Sequence, residues 1–368
     1  MVRCHSDHVG SLLRPPELLR AREAHARGEL ATAGFKSAED SAVDRVIALQ
    51  EEAGCEIVTD GELRRLSFQS QFAAAVDGIG EWDLDAFLWG DWYGDGVEDW
   101  HRPRPERLGA VGRLVPRRSL SAEEFTYLRA RTRRTAKVTL PSPSLLANFW
   151  SPQRSRAAYP TLDAFLDDVT DILRREAAEL ARLGCSYIQI DAPQYALLLD
   201  PRPRGFYESR GWSTDTWLER GVELDNALIE AAPGVTFGFH LCRGNQASRW
   251  LVAGDYEPIA ARIFPRIRAR RLLLEYDDAR AGGFEPLRHV RDDAMVVLGL
   301  VTTKTPRLES RGAIESRVRE AARHVDLERL ALSPQCGFAS SILGNALGEP
   351  DQIAKLRLVN AVAAAVWG

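Results

Sequence analysis

The sequence predicts an α/β fold: a single (β/α)8 barrel of the TIM type over residues 1–368, with an insertion after the second strand at about residues 66–135. Three observations lead there. Runs rich in Val, Ile, Leu and Tyr recur eight times, and most close on small, polar or reactive residues. Amphipathic stretches with a helical period separate several of them. The runs themselves are almost continuously apolar, the pattern of parallel strands covered by helices. At ~150 residues per domain the length suggests more than one domain, but barrels of this kind exceed ~250 residues as single units.

The first run, Val2 to His8, ends in Val9-Gly10-Ser11. The second, Cys55 to Asp60, ends in Gly61-Glu62, and the third, Ala136 to Leu140, in Pro141-Ser142-Pro143. Ser186 to Asp191 is the fourth, and Val235 to Phe239, the fifth, leads into His240-Leu241-Cys242. Leu272 to Glu275 is the sixth; Met295 to Leu300 runs into Thr302-Thr303-Lys304; Leu330 to Ser333 ends in Pro334-Gln335-Cys336-Gly337. Leu162 to Leu183 has the clearest helical period, with Phe165, Val169, Ile172, Leu173, Ala177 and Leu180 on one face. Ser41 to Ala53, Trp217 to Ala231, Ile314 to His324 and Gln352 to Trp367 repeat the pattern. Pro15 to Glu29, rich in Arg, Ala and Glu, reads as a surface helix. The insertion carries Trp82, Trp89, Trp92 and Trp100 and is expected to lie over one end of the barrel.

Composition narrows the function classes. Hydrophobic residues at 45% and charged residues at 27% exclude a disordered chain. A net charge of -4 supplies no bulk basic field for nucleic acid or anionic lipid. No apolar run reaches the ~18 residues that span a bilayer, and the N-terminal octet has no signal-peptide stretch. The expectation is a cytoplasmic protein without nucleic-acid or membrane partners. Five scattered cysteines do not form a disulfide framework. Cys4, Cys55 and Cys185 sit within or beside apolar runs and read as small buried hydrophobes. Lysines are scarce, at Lys36, Lys137, Lys304 and Lys355, against a large excess of Arg.

Barrel enzymes place their chemistry at the C-terminal ends of the strands. Ser11, Glu62, Asp191, His240, Cys242, Glu275, Lys304 and Cys336 all fall there. His240 and Cys242 are two apart on an extended segment, so their side chains point the same way. With Cys336 and Glu275 they make a donor set of two thiolates, an imidazole and a carboxylate, suited to zinc. Those ligands outweigh the charge of the ion. A metal so electron-rich is a poor generator of hydroxide and suits holding a substrate thiol as a nucleophilic thiolate.

In these residues the chain resembles the catalytic barrel of the cobalamin-independent methionine synthases, in their short single-barrel branch. The resemblance is carried by Asp7-His8-Val9-Gly10-Ser11, Asp60-Gly61-Glu62, Gln189-Ile190-Asp191-Ala192-Pro193, His240-Leu241-Cys242-Arg243-Gly244-Asn245, Glu275 and Ser333-Pro334-Gln335-Cys336-Gly337-Phe338, in the family's order. It implies zinc held by His240, Cys242, Glu275 and Cys336. It also implies a homocysteine-like thiol whose amino-acid end is held by Gly10, Ser11, Glu62 and Asp191, the hydroxyl and backbone amides taking the carboxylate and the acids the ammonium. Trp150 matches the family tryptophan that stacks on folate.

Two departures bear on the methyl donor, which the resemblance leaves as a methyl-folate or a methyl-corrinoid protein. The length leaves no room for the second barrel of the long members, and none is expected. The family's Asp-Ile-His-Ser-Pro-Arg stretch reads Thr302-Thr303-Lys304-Thr305-Pro306-Arg307, putting Lys304 where a histidine protonates the leaving folate. Lys304 is expected to act as acid or anion binder if burial lowers its pKa. Asp191 is the other expected catalytic residue. The epoxyalkane:coenzyme M transferases are also similar, and so thiol opening of an epoxide, or a specialised biosynthetic role, is the alternative. A zinc-stabilised binding protein without turnover is a third.

Overall fold

A computed structural model describes residues 2–368. The chain forms a TIM-barrel-like α/β fold on a curled parallel sheet. Its seven strands are β1 (Ile57–Val58), β2 (Thr135–Pro141), β3 (Tyr187–Asp191), β4 (Thr236–Leu241), β5 (Arg271–Glu275), β6 (Met295–Val301) and β7 (Leu330–Pro334). They lie side by side in chain order, every neighbouring pair parallel. Strands β3 to β7 are buried at every residue. That is the burial expected where helices cover the outer face, and it explains the unbroken apolar runs.

The covering helices follow the periodic stretches. Leu162–Arg182 begins at Thr161, whose side chain accepts from the Ala164 amide, and it buries the predicted face of Phe165, Val169, Ile172, Leu173, Ala177 and Leu180. Thr32–Glu52, Thr214–Glu230, Arg311–Ala321 and Glu349–Trp367 match the other expected helices, the first starting nine residues earlier than expected and the others three. Pro16–Ala26 buries only Leu18, as a surface helix should. Each large aliphatic side chain buried this way contributes about 1.5–3 kcal/mol.

Two of the eight expected strands differ. Val2 to His8 is not a strand: it touches β7 through one parallel bridge, Ser6 to Leu332. Asp7 N–H donates to Leu332 O at 2.9 Å, and Leu332 N–H to His5 O at 2.8 Å. Cys55 to Asp60 shrinks to the two residues of β1. The reason is local. The Gln50 side chain takes both backbone groups of Thr59, accepting from its N–H at 2.9 Å and donating to its C=O at 2.8 Å. On the other side the His8 imidazole bonds Ile57 O at 3.1 Å. His8, together with the Thr59 hydroxyl that donates to Gly10 O at 2.6 Å, thus makes the join between the N-terminal segment and β1 where a ladder was expected.

The interior face of the sheet is polar and layered. Side chains two residues apart on a strand share a face, so Lys137 and Thr139 on β2, and Tyr187, Gln189 and Asp191 on β3, stack towards the C-terminal ends. In the lowest layer Asp7 accepts from Lys137 Nζ at 2.8 Å and Tyr187 Oη at 2.7 Å, with Arg271 at 3.3 Å. All four are buried. Burial opposes the ionised carboxyl, but Lys137 and Arg271 prevail and hold Asp7 down at about 2. The next layer is Thr139 and Gln189, which are direct partners in the β2–β3 register.

The segment between β1 and β2 is the aromatic-rich stretch. It holds the helix Ser70–Ala75, the antiparallel pair Val76–Ile79 and Ala110–Pro116, and the helix Ala122–Arg129. Its strand Gly90–Gly94 pairs with Trp100–Arg102 on one side and with Arg249–Trp250, from the β4–β5 connection, on the other.

Candidate active site

His240 lies near the end of β4, where its Nδ1 faces Leu273 O at 3.2 Å. With the proton on Nδ1 the ring presents Nε2 as a lone-pair donor, and that atom is buried with no partner. Cys242 follows two residues on, its Sγ 3.3 Å from Cys336 Sγ just beyond β7. The ligand atoms of His240, Cys242 and Cys336 all lie within 4.8 Å of one another. The Cys242 hydrogen bond holds the Cys336 thiol well below its usual range, with His240 acting the same way. Cys242 is pushed up correspondingly. An orphaned imidazole nitrogen beside two sulfurs, one of them already acidic, fits a zinc ion by donor chemistry.

Glu275, the expected fourth ligand, is outside that group. Its Oε2 accepts from the Arg243 amide at 2.9 Å and its Oε1 from Lys304 Nζ at 3.0 Å. Lys304 is buried between Glu275 and Asp277, the latter at 3.6 Å. Burial alone would lower its pKa, but the two carboxylates raise it above the ordinary lysine value. The expected lowering does not occur, and Lys304 is not among the residues lining the cavity. Lys304 is thus placed as an ion-paired ammonium behind the cavity, where the sequence led us to expect a lysine with a lowered pKa.

The cavity over this group has a volume of about 270 Å³. Its floor brings together Ser11, Glu62, Asp191, His240, Cys242 and Cys336, all picked out at strand ends in the sequence. Glu62 has φ of 57°, a left-handed conformation that costs energy in a non-glycine residue. Its Oε1 accepts from Thr139 Oγ1 at 2.6 Å and Oε2 is buried without a partner. Gly10, with φ of 150°, makes room for it: a Cβ there would stand 3.3 Å from Glu62 Oε1 and 2.8 Å from Thr139 Cγ2. Gly337 similarly clears Ser11, whose Oγ would be 1.9 Å from an added Cβ. Asp191 accepts from Gln189 Nε2 at 2.7 Å. Burial lifts its pKa to about 7, with His240 opposing and Glu62 adding to the rise.

Trp150 is not part of this cavity. It is only 4% exposed, in the main apolar core, and its Nε1 donates to Tyr159 O at 3.2 Å. The aromatic wall comes instead from Phe87, Trp89 and Trp92 of the insertion and from Phe206. Trp89 and Phe206 approach to 4.5 Å between ring centroids. Sequence reasoning also missed Arg14, which is buried and donates to four carbonyls: Ala339, Ser341, Glu62 and Arg65. It ties together two of the loops that supply the cavity wall. Nothing in its local pattern marks it, whereas Thr139 and Gln189 were reachable from the two-residue strand period.

Residues 6–365 match the family model described as the catalytic domain of cobalamin-independent synthase. The chain belongs to that family. The uncharacterized protein YxjG of Bacillus subtilis is 34% identical over 368 residues, covering 98% of this chain and 94% of its own length. A methionine synthase of Pyrococcus abyssi is 26% identical over 331 residues, covering 90% and 85%. A crystal structure from Listeria monocytogenes, described as that of a "putative vitamin-B12 independent methionine synthase", superposes with a TM-score of 0.73 at 27% identity, covering 100% and 99%. Membership supports a methyltransferase. Among the described residues no helix is long and apolar enough to cross a membrane.

Proposed function

We propose that this protein is a zinc-dependent methyltransferase that alkylates a homocysteine-like thiol, giving methionine. The observation that carries the reading is the grouping of His240 Nε2 and the Cys242 and Cys336 sulfurs at the floor of one cavity with Glu62 and Asp191. Zinc held by His240, Cys242 and Cys336, with Glu275 as the expected fourth donor, would keep the substrate sulfur deprotonated and nucleophilic at neutral pH.

The protein's own residues do the rest. Ser11, beside Gly10, offers its hydroxyl to the substrate carboxylate. Glu62 and Asp191 receive the ammonium, and its positive charge in turn favours the ionised form of Asp191. The aromatic wall keeps water from the reacting methyl carbon and sets the donor over the sulfur. Methyl-folate or a methyl-corrinoid protein is the proposed donor, and the cytoplasm the proposed location. One barrel over the whole chain is the architecture we infer for it. A second reading, opening of an apolar epoxide by a thiol, is favoured by the apolar wall of Phe87, Leu145, Leu197, Phe206 and Leu251.

Purified protein should bring close to one zinc per chain, and Cys242→Ser and Cys336→Ser should each lose most of it when metal is measured by mass spectrometry. Zinc retained by both variants would overturn the ligand set. Products from homocysteine with methyl-folate, methylcobalamin or an epoxide, identified by mass, decide the donor.

A further inference from the structure

We propose that Gln189 is a positioning residue: it fixes the Asp191 carboxylate for the substrate ammonium. The inference rests on the proposed homocysteine site and goes one residue deeper. Gln189 is fully buried and spans two layers of the sheet interior. Its Nε2 donates to Val9 O at 2.7 Å and to Asp191 Oδ1 at 2.7 Å, while its Oε1 accepts from Lys137 Nζ at 2.9 Å.

An amide is nearly symmetric in shape, so what matters is which end faces Asp191. Lys137 settles that, because an ammonium can only donate. It demands the amide oxygen, and Val9 O demands the nitrogen. Both amide hydrogens are then committed, one of them to Asp191. Lys137 is itself held by Asp7 at 2.8 Å, so the sense of the amide is fixed from the lowest layer upward. Among the described residues Gln189 is the only hydrogen-bond donor to the Asp191 side chain. Glu62, by contrast, has both Thr139 at 2.6 Å and Arg65 at 3.5 Å. Thr139 and Gln189 face each other in the strand register, so one rung of the sheet orients both acids.

The test compares two ligands on the zinc-loaded protein by calorimetry: homocysteine, and 4-mercaptobutanoate, which is the same thiol acid without the amino group. The native protein should prefer homocysteine. Gln189→Met keeps the length of the side chain but removes the donor, and should cut that preference about tenfold while zinc content stays unchanged. A role confined to folding would weaken both ligands alike. If the Met variant does not fold, Gln189→Asn, which keeps the amide but falls one methylene short, carries the same comparison and the same expected loss. A native preference that survives in the variant overturns the inference alone. A native protein that binds both ligands equally overturns the amino-acid site itself, and the inference with it.

Discussion

Asp7 shows how much a single buried charge carries. It is the common partner of Lys137, Arg271 and Tyr187. Asp7→Asn would leave two cations facing a neutral amide, and should lower the unfolding free energy in urea by about 3 kcal/mol. The sign with pH follows from its pKa, held at about 2 against an ordinary value of 3.8. Its contribution is complete above pH ~4 and is lost as pH falls through ~2. The native protein should therefore lose stability over that interval more steeply than the Asn variant. At this scale the sequence shows residue types well and directions poorly. His240, Cys242 and Cys336 were legible because strand spacing and strand ends say where a side chain points. Lys304 and Trp150 were placed by their neighbours in sequence, and both turned away from the cavity, Lys304 to its acids and Trp150 to Tyr159 O. Asp7 stands in a stretch that was recognised, but its partners are 130 and 180 residues away, and no local pattern reveals them.

Among the elements, the aromatic-rich segment between β1 and β2 supplies most of the aromatic wall of the cavity. Its tryptophans predicted a covering segment, and residues 87, 89 and 92 do line the cavity. The pairing of Gly90–Gly94 with Arg249–Trp250 was not legible, because a two-residue strand leaves no period to read. That pairing joins the insertion to the connection leaving β4, the strand that carries His240. Trp89→Ala removes the ring packed at a tilt against Phe206, and should raise KM for the proposed methyl donor about tenfold while zinc content and homocysteine affinity hold. Steady-state kinetics with the donor varied checks it, and an unchanged KM would place the donor elsewhere.

On the scale of the molecule, seven of the eight predicted strands are present in the predicted order, because parallel strands buried on both faces write their position directly into apolar runs. The eighth failed for a reason apolarity does not encode. Beside the N-terminal segment no other strand takes up the backbone of β1 and Thr59: His8 bonds Ile57 O, and Gln50 of the helix Thr32–Glu52 holds Thr59. A ladder opens only when a whole strand leaves, whereas a side chain can swing away alone. This join is therefore where the curled sheet should open most readily. Amide exchange at Val58 and Thr59 should run faster than at β4 in the native protein. Gln50→Ala should speed exchange at Thr59 about tenfold and leave β4 unchanged. Since Gly10, Ser11 and Glu62 all follow directly from that join, a grip on the amino-acid end of the proposed substrate would loosen and tighten with it, a route for releasing product that would leave the proposed zinc ligands undisturbed.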